Sequence, residues 1–128
     1  MVRGRELCEG LIDWSKELTQ EGRTSYTVRL AWNGESVSGV ADDMFEALVE
    51  IRRQVEPKGW LLAIQGSRLN AYPSGMARDM GGGEKVYVLR PRQPALLTDL
   101  VDTLADTSID DIATVDEQLK FFENWARL

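Results

Sequence analysis

The chain has 128 residues, 43% of them apolar, which is enough for the core of one domain, and a net charge of −6. Histidine is absent, which excludes Ser-His-Asp and Cys-His catalysis and the common zinc sites. One cysteine excludes an internal disulfide and a thiolate metal cluster, and no apolar run approaches the roughly 18 residues of a membrane helix. No apolar segment follows the basic start Met1-Val2-Arg3-Gly4-Arg5, so the expectation is a cytoplasmic protein with no secretory leader, no membrane partner and no cofactor.

The charge is unevenly placed. Residues 1–51 carry five basic and ten acidic side chains, 52–92 eight basic and three acidic, and 93–128 two basic and eight acidic. An acidic whole argues against nucleic acid as a partner. The basic centre can still meet an anionic one, although Arg52 and Arg53 also read as one solvated helix face.

In chain order, Leu7, Leu11, Trp14 and Leu18 step by helical intervals and predict an amphipathic helix over 3–20, stopped near Gly22, with Cys8 as a small structural residue on its stripe. Residues 25–40 predict a hairpin. Asn33-Gly34 suits a two-residue type I′ turn and sets Trp32 opposite Glu35, Leu30 opposite Val37 and Val28 opposite Gly39. Asp43 caps a helix over 43–56, with Arg52 at the edge of the apolar stripe, stem packed and head in water. Trp60–Gln65 is a continuous apolar run and predicts a central strand over 60–65; further strands follow at 68–72 and 85–90. Between the last two, Ser74 caps one helical turn ending at Gly81-Gly82-Gly83. Residues 96–104 fit a helix, and the alternation from Asp99 to Leu104 also fits an edge strand. Thr114-Val115-Asp116-Glu117 is a capping box opening a helix over 114–127. The expected architecture is a single α+β domain over 1–128. A mostly antiparallel sheet of four to five strands is covered by two or three helices.

Few motifs point to chemistry. Gly81-Gly82-Gly83-Glu84-Lys85 lacks the P-loop order and precedes a strand instead of a helix, so it reads as a turn. Ser74 lacks the glycine two residues before it that a nucleophile elbow needs, and no histidine can serve as its base. Asp99, Asp102 and Asp106 would share a helical face without any calcium-loop pattern, which suits solvated carboxylates better than a metal. The segment 66–83 stands out more. Arg68, Asn70, Tyr72, Ser74, Met76, Arg78, Asp79 and Met80, with Lys85 beyond, are types that recur in recognition surfaces, and a long irregular connection in a small domain is usually functional. The competing reading is a loop tucked onto the core with its methionines as fillers.

The run Tyr72-Pro73-Ser74-Gly75-Met76, followed by Asp79-Met80-Gly81 and Gly83-Glu84-Lys85-Val86-Tyr87, resembles the signature of a family of small bacterial proteins of uncharacterised activity. The resemblance extends over about 45–125, through Asp99-Leu100-Val101-Asp102 to Phe121 and Trp125, and excludes the first forty residues. It implies a shared fold and no catalytic residues, and it favours a strand at Asp99–Asp102. Three functional expectations follow. The first is a non-enzymatic protein-binding module of the immunity-protein kind, working through 66–83 on another protein, with a homodimer as a further possibility. The second is a small-ligand or anion site built from Arg68, Arg78, Lys85 and the Gly81–Gly83 amides. The third is an enzyme using Asp79 and Tyr72.

Overall fold

The hairpin forms as its turn chemistry requires. In a computed structural model that describes residues 1–127, β4 (Thr24–Trp32) and β5 (Glu35–Ala41) pair with Trp32 opposite Glu35, Leu30 opposite Val37 and Val28 opposite Gly39. Asn33 and Gly34 take φ of 43° and 79°, the left-handed pair a type I′ turn needs. Tyr26, Val28, Leu30 and Trp32 all turn to one buried face.

Helix α1 (Met44–Val55) lies on that face. Asp43 Oδ1 accepts the Glu46 amide at 2.7 Å and starts the helix. Met44, Ala47, Leu48, Ile51 and Val55 pack with the hairpin and with Trp60, Leu62 and Ile64. Phe45 and Val49, on another side of α1, pack with Ala71, Val86 and Val115. An α-helix buried on most of its circumference sits between layers. Here the layers are the sheet formed by β3 (Leu11–Leu18), β4 and β5 and a second sheet of β6 (Ala71–Tyr72), β7 (Lys85–Val88) and β8 (Leu100–Asp102), both antiparallel. A two-strand ribbon, β1 (Val2–Arg3) with β2 (Glu6–Leu7), makes the third sheet. The short helix α2 (Gly75–Gly81) and α3 (Val115–Ala126) complete an α+β fold, with eight strands and three helices among the described residues. The capping box at Thr114 and Glu117 is formed on both sides, at 3.2 and 2.9 Å. Among the described residues, no helix is long and apolar enough to cross a membrane.

Three expectations are corrected, and one open alternative is decided. The helix over 3–20 is instead β1, β2 and β3 (Leu11–Leu18), with every residue of β3 paired to β4. The helical spacing of Leu7, Leu11 and Leu18 does not serve a core, since they are 68%, 74% and 74% exposed. Pairing with the hairpin, a non-local contact, overrides the local period. Gly10, a poor helix interior, sits against Leu30 and Met1. The apolar run at 60–65 is extended but forms no ladder; Leu61 bridges Val2, Ile64 bridges Asp106, and Gln65–Ser67 turns in a 3-10 helix. Of the two readings left open for 96–104 the structure takes the strand: residues 97–99 form another 3-10 turn and 100–102 the strand β8. Asp99 is buried, accepts the Leu96 amide at 3.1 Å and pairs with Arg90 at 2.8 Å. The third correction is Arg52, whose head is buried with its stem.

Candidate functional site

The segment 66–83 divides into a root packed inside and an outer face left in water. Arg68 belongs to the root: its Nε donates to Asn70 Oδ1 at 3.1 Å and its Nη1 to Thr107 Oγ1 at 3.2 Å, with Asp111 at 3.8 Å. Asn70 donates to the Leu89 carbonyl at 3.3 Å. Tyr72 is half-buried, stacked on Phe122 with ring centres 4.2 Å apart and edge-on to Phe45 at 5.1 Å. Arg78 covers the same aromatics, with its guanidinium carbon 5.1 Å from the Phe45 ring centre and 5.6 Å from that of Tyr72. Its Nη1 lies 3.3 Å from Asp43 and 3.4 Å from Glu46, at the start of α1.

Ser74 caps α2 by accepting the Ala77 amide at 3.0 Å. The helix ends as its glycines dictate. Gly82 is left-handed at φ 62°, and the Gly82 and Gly83 amides donate back to Arg78 and Ala77 at 3.1 and 3.0 Å. The Gly82 carbonyl accepts the Met44 amide at 2.7 Å, and that of Gly83 accepts the Thr103 hydroxyl at 2.7 Å. The glycine run is thus a stapled helix end. Its Gly82 and Gly83 amides are engaged within the chain, and Arg68, Arg78 and Lys85 face separate carboxylates at Asp111, Asp43 and Asp102. The structure does not gather these groups into one anion site. Nor does Tyr72 line the clefts that Asp79 lines with Asp42, Thr24 and Arg78.

On the outer face, Met76 is 71% exposed and Met80 82% exposed. They are four residues apart, so one helical face carries both. Leu97, 80% exposed, and Leu100 stand across a groove of about 350 Å³, floored by Ala77 and Tyr87 and edged by Glu84 and Lys85. Leu96 is 55% exposed next to it. The sequence reading missed Leu96, Leu97 and Leu100. Two adjacent leucines between Pro94 and the Asp99 turn, in a stretch too short to bury both, were the available signal.

A polar knot ties the arm to the hairpin. Glu84 Oε2 accepts from the Tyr26 hydroxyl at 2.7 Å and from Lys16 Nζ at 3.0 Å. Burial raises the Tyr26 phenol above 10.0, assisted by the Glu84 hydrogen bond. The hydrogen bond to Glu84 raises Lys16. Burial pushes the Glu84 carboxyl upward, but the Tyr26 and Lys16 hydrogen bonds together outweigh it and hold the group below 4.5. A carboxyl depressed by folding stabilises the fold above its unfolded value and loses that contribution as pH falls through the folded value. The gap in urea midpoint between wild type and Glu84→Gln is therefore expected to be full at neutral pH and to shrink below pH 4.5. A gap independent of pH would show that the knot contributes nothing through charge.

No protein-family model and no curated protein matches this chain.

Proposed function

We propose that the protein is a non-enzymatic protein-binding module whose contact face is the outer side of α2 together with the Leu96–Leu97 segment. One observation carries the reading: Met76 and Met80, on an arm whose root packs inside the fold, stand in water with Leu96 and Leu97 beside an apolar groove. Exposed apolar patches edged by polar groups mark interaction sites, and methionine adapts its shape to a partner. Asp79, exposed on the same helix, and Lys85 supply charged edges that fix orientation. An immunity-type inhibitor of a basic toxin is the narrower form of this proposal, supported by the net charge of −6 and by nothing more specific.

The test is affinity capture from the native host with the wild-type chain and with the double variant Met76→Asp, Met80→Asp. A stoichiometric partner retained by the wild type and lost by at least about tenfold in the variant is expected. Both positions are solvent-exposed, so the variant should unfold within about 0.5 kcal/mol of the wild type. Capture of the same partner by both chains, or of none by the wild type, defeats the proposal.

A further inference from the structure

Strand β3 is an eight-residue edge strand that runs with β4 on one side and, among the described residues, has no strand on the other. Its register with β4 is continuous from Leu11 to Leu18, without a bulge or a proline. Natural sheets blunt such edges, because a bare row of amides and carbonyls pairs with another chain. Of its three charges, two are met within the chain, Asp13 by Arg29 at 2.7 Å and Lys16 by Glu84 at 3.0 Å, and Glu17 is left at the exposed edge. Leu11 and Leu18 remain 74% exposed and Trp14 40% exposed.

The direction of the free groups follows from the ladder. The Thr19 amide donates to the Arg23 carbonyl, continuing the register that sets Leu18 opposite Thr24. In an antiparallel pair, bonded positions alternate, so the odd-numbered residues of β3 aim their main chain at β4. The type I′ turn gives the same alternation, since Trp32 and Glu35 flank it as a bonded pair and leave the odd residues of β4 for β3. The amides and carbonyls of Ile12, Trp14, Lys16 and Leu18 therefore point out from the free edge.

We propose that β3 is the interface of a symmetric homodimer, pairing antiparallel with β3 of a second copy about a two-fold axis at Trp14. A two-fold axis perpendicular to the sheet pairs positions of the same parity, so the outward-pointing residues of one copy meet those of the other. Charge then selects among the registers that overlap most of the strand. Shifting one step either way sets Asp13 against the partner's Asp13, or Asp13 against the partner's Glu17; a further step sets Lys16 against the partner's Lys16. Like charges directly opposite one another destabilise a ladder. The register centred on Trp14 has none of these pairs. Trp14 meets the partner's Trp14, Ile12 meets the stem of the partner's Lys16, Leu11 that of the partner's Glu17, and Asp13 the partner's Ser15. Two three-stranded sheets become one continuous sheet. This interface lies on different residues from the α2 face and does not depend on it.

Sedimentation equilibrium of the full chain over about 1–200 µM tests the proposal, with a monomer–dimer equilibrium expected. Trp14→Glu and Trp14→Lys each put like charges on the axis. Each alone is expected to keep the wild-type circular dichroism and to raise the dimer dissociation constant by at least about tenfold, while a one-to-one mixture of the two recovers the dimer. Should either chain fail to fold, Lys16→Pro replaces it. The Lys16 amide faces the free edge, so proline there removes no bond to β4 and still weakens the dimer. Met76→Asp with Met80→Asp should leave the equilibrium unchanged, so that failure here and failure of the binding-module reading are separate results. A wild type that stays monomeric throughout overturns the proposal, including one whose edge binds an extended peptide of another sequence. So do a dimer indifferent to Trp14→Glu and Lys16→Pro, and a mixture of folded chains that stays monomeric.

Discussion

Replacing Arg52 by alanine is expected to lower the free energy of unfolding by about 3–5 kcal/mol. The side chain is 1% exposed, and its guanidinium ties three parts of the chain together. Nη1 donates to the Gly66 carbonyl at 3.2 Å and to Gln118 Oε1 at 2.6 Å, Nη2 to the Ala113 carbonyl at 2.9 Å, and Nε to Glu56 at 3.3 Å. Glu56 in turn accepts the Val115 amide at 3.0 Å, and Gln118 Nε2 donates to the carbonyls of Gly66, Arg68 and Ala71 at 2.8, 2.9 and 2.9 Å. Burial lowers the Arg52 pKa from its ordinary value and Glu56 opposes that shift, and a guanidinium remains charged across the working range. Truncation therefore leaves the Ala113 carbonyl, the Gln118 amide oxygen and the Glu56 carboxylate without their cation, in a place with little water to replace it.

Arg52→Lys should recover little, because one ammonium cannot reach all four acceptors arranged around a planar fork; a residual loss of at least about 2 kcal/mol is expected. Urea denaturation with an unchanged slope would read both variants. A loss below about 1 kcal/mol for Arg52→Ala would show that the network is no more than a surface ion pair.

This network marks the limit of what the sequence makes legible. Helical spacing located Arg52 on α1 correctly but placed its head in water, because the acceptors lie at 66, 113 and 118, far along the chain. Elements defined by neighbours in sequence could be read directly: the turn at Asn33-Gly34, the caps at Asp43, Ser74 and Thr114, the helix end at Gly81-Gly82-Gly83. Strand β3 could not, since the residues that make it a strand belong to β4, and its exposed leucines happen to repeat at helical intervals. The candidate site was legible in the same uneven way. Met76 and Met80 were picked out by type and do face water, whereas Arg68, Asn70 and Ser74, chosen on the same ground, spend their polar atoms inside the fold. Residue type identifies what a side chain can do, and only tertiary contacts decide which way it faces.

The second large effect is expected at Gly82, where alanine should cost about 2–4 kcal/mol. Two causes add. The residue is left-handed at φ 62°, a conformation a side chain resists, and a Cβ there would overlap the Tyr26 hydroxyl. Tyr26 cannot withdraw, since it is 4% exposed, stacked on Trp14 at 6.0 Å and bonded to Glu84. Gly81 is the internal control. It is exposed and helical, and a Cβ there meets no atom within 4 Å, so Gly81→Ala should be neutral or stabilising by up to about 1 kcal/mol. Equal stability of the two variants would mean that the arm is not held by this contact. If the arm is held this way, the variants also separate presentation from contact. Gly82→Ala should weaken partner binding together with melting temperature, because it loosens the staple that positions Met76 and Met80 without touching either. Met76→Asp with Met80→Asp should weaken binding at constant melting temperature. A Gly82→Ala chain that melts early yet binds its partner at full strength would show that the face forms without its anchor, and that the rigid placement of α2 on the start of α1 serves stability alone.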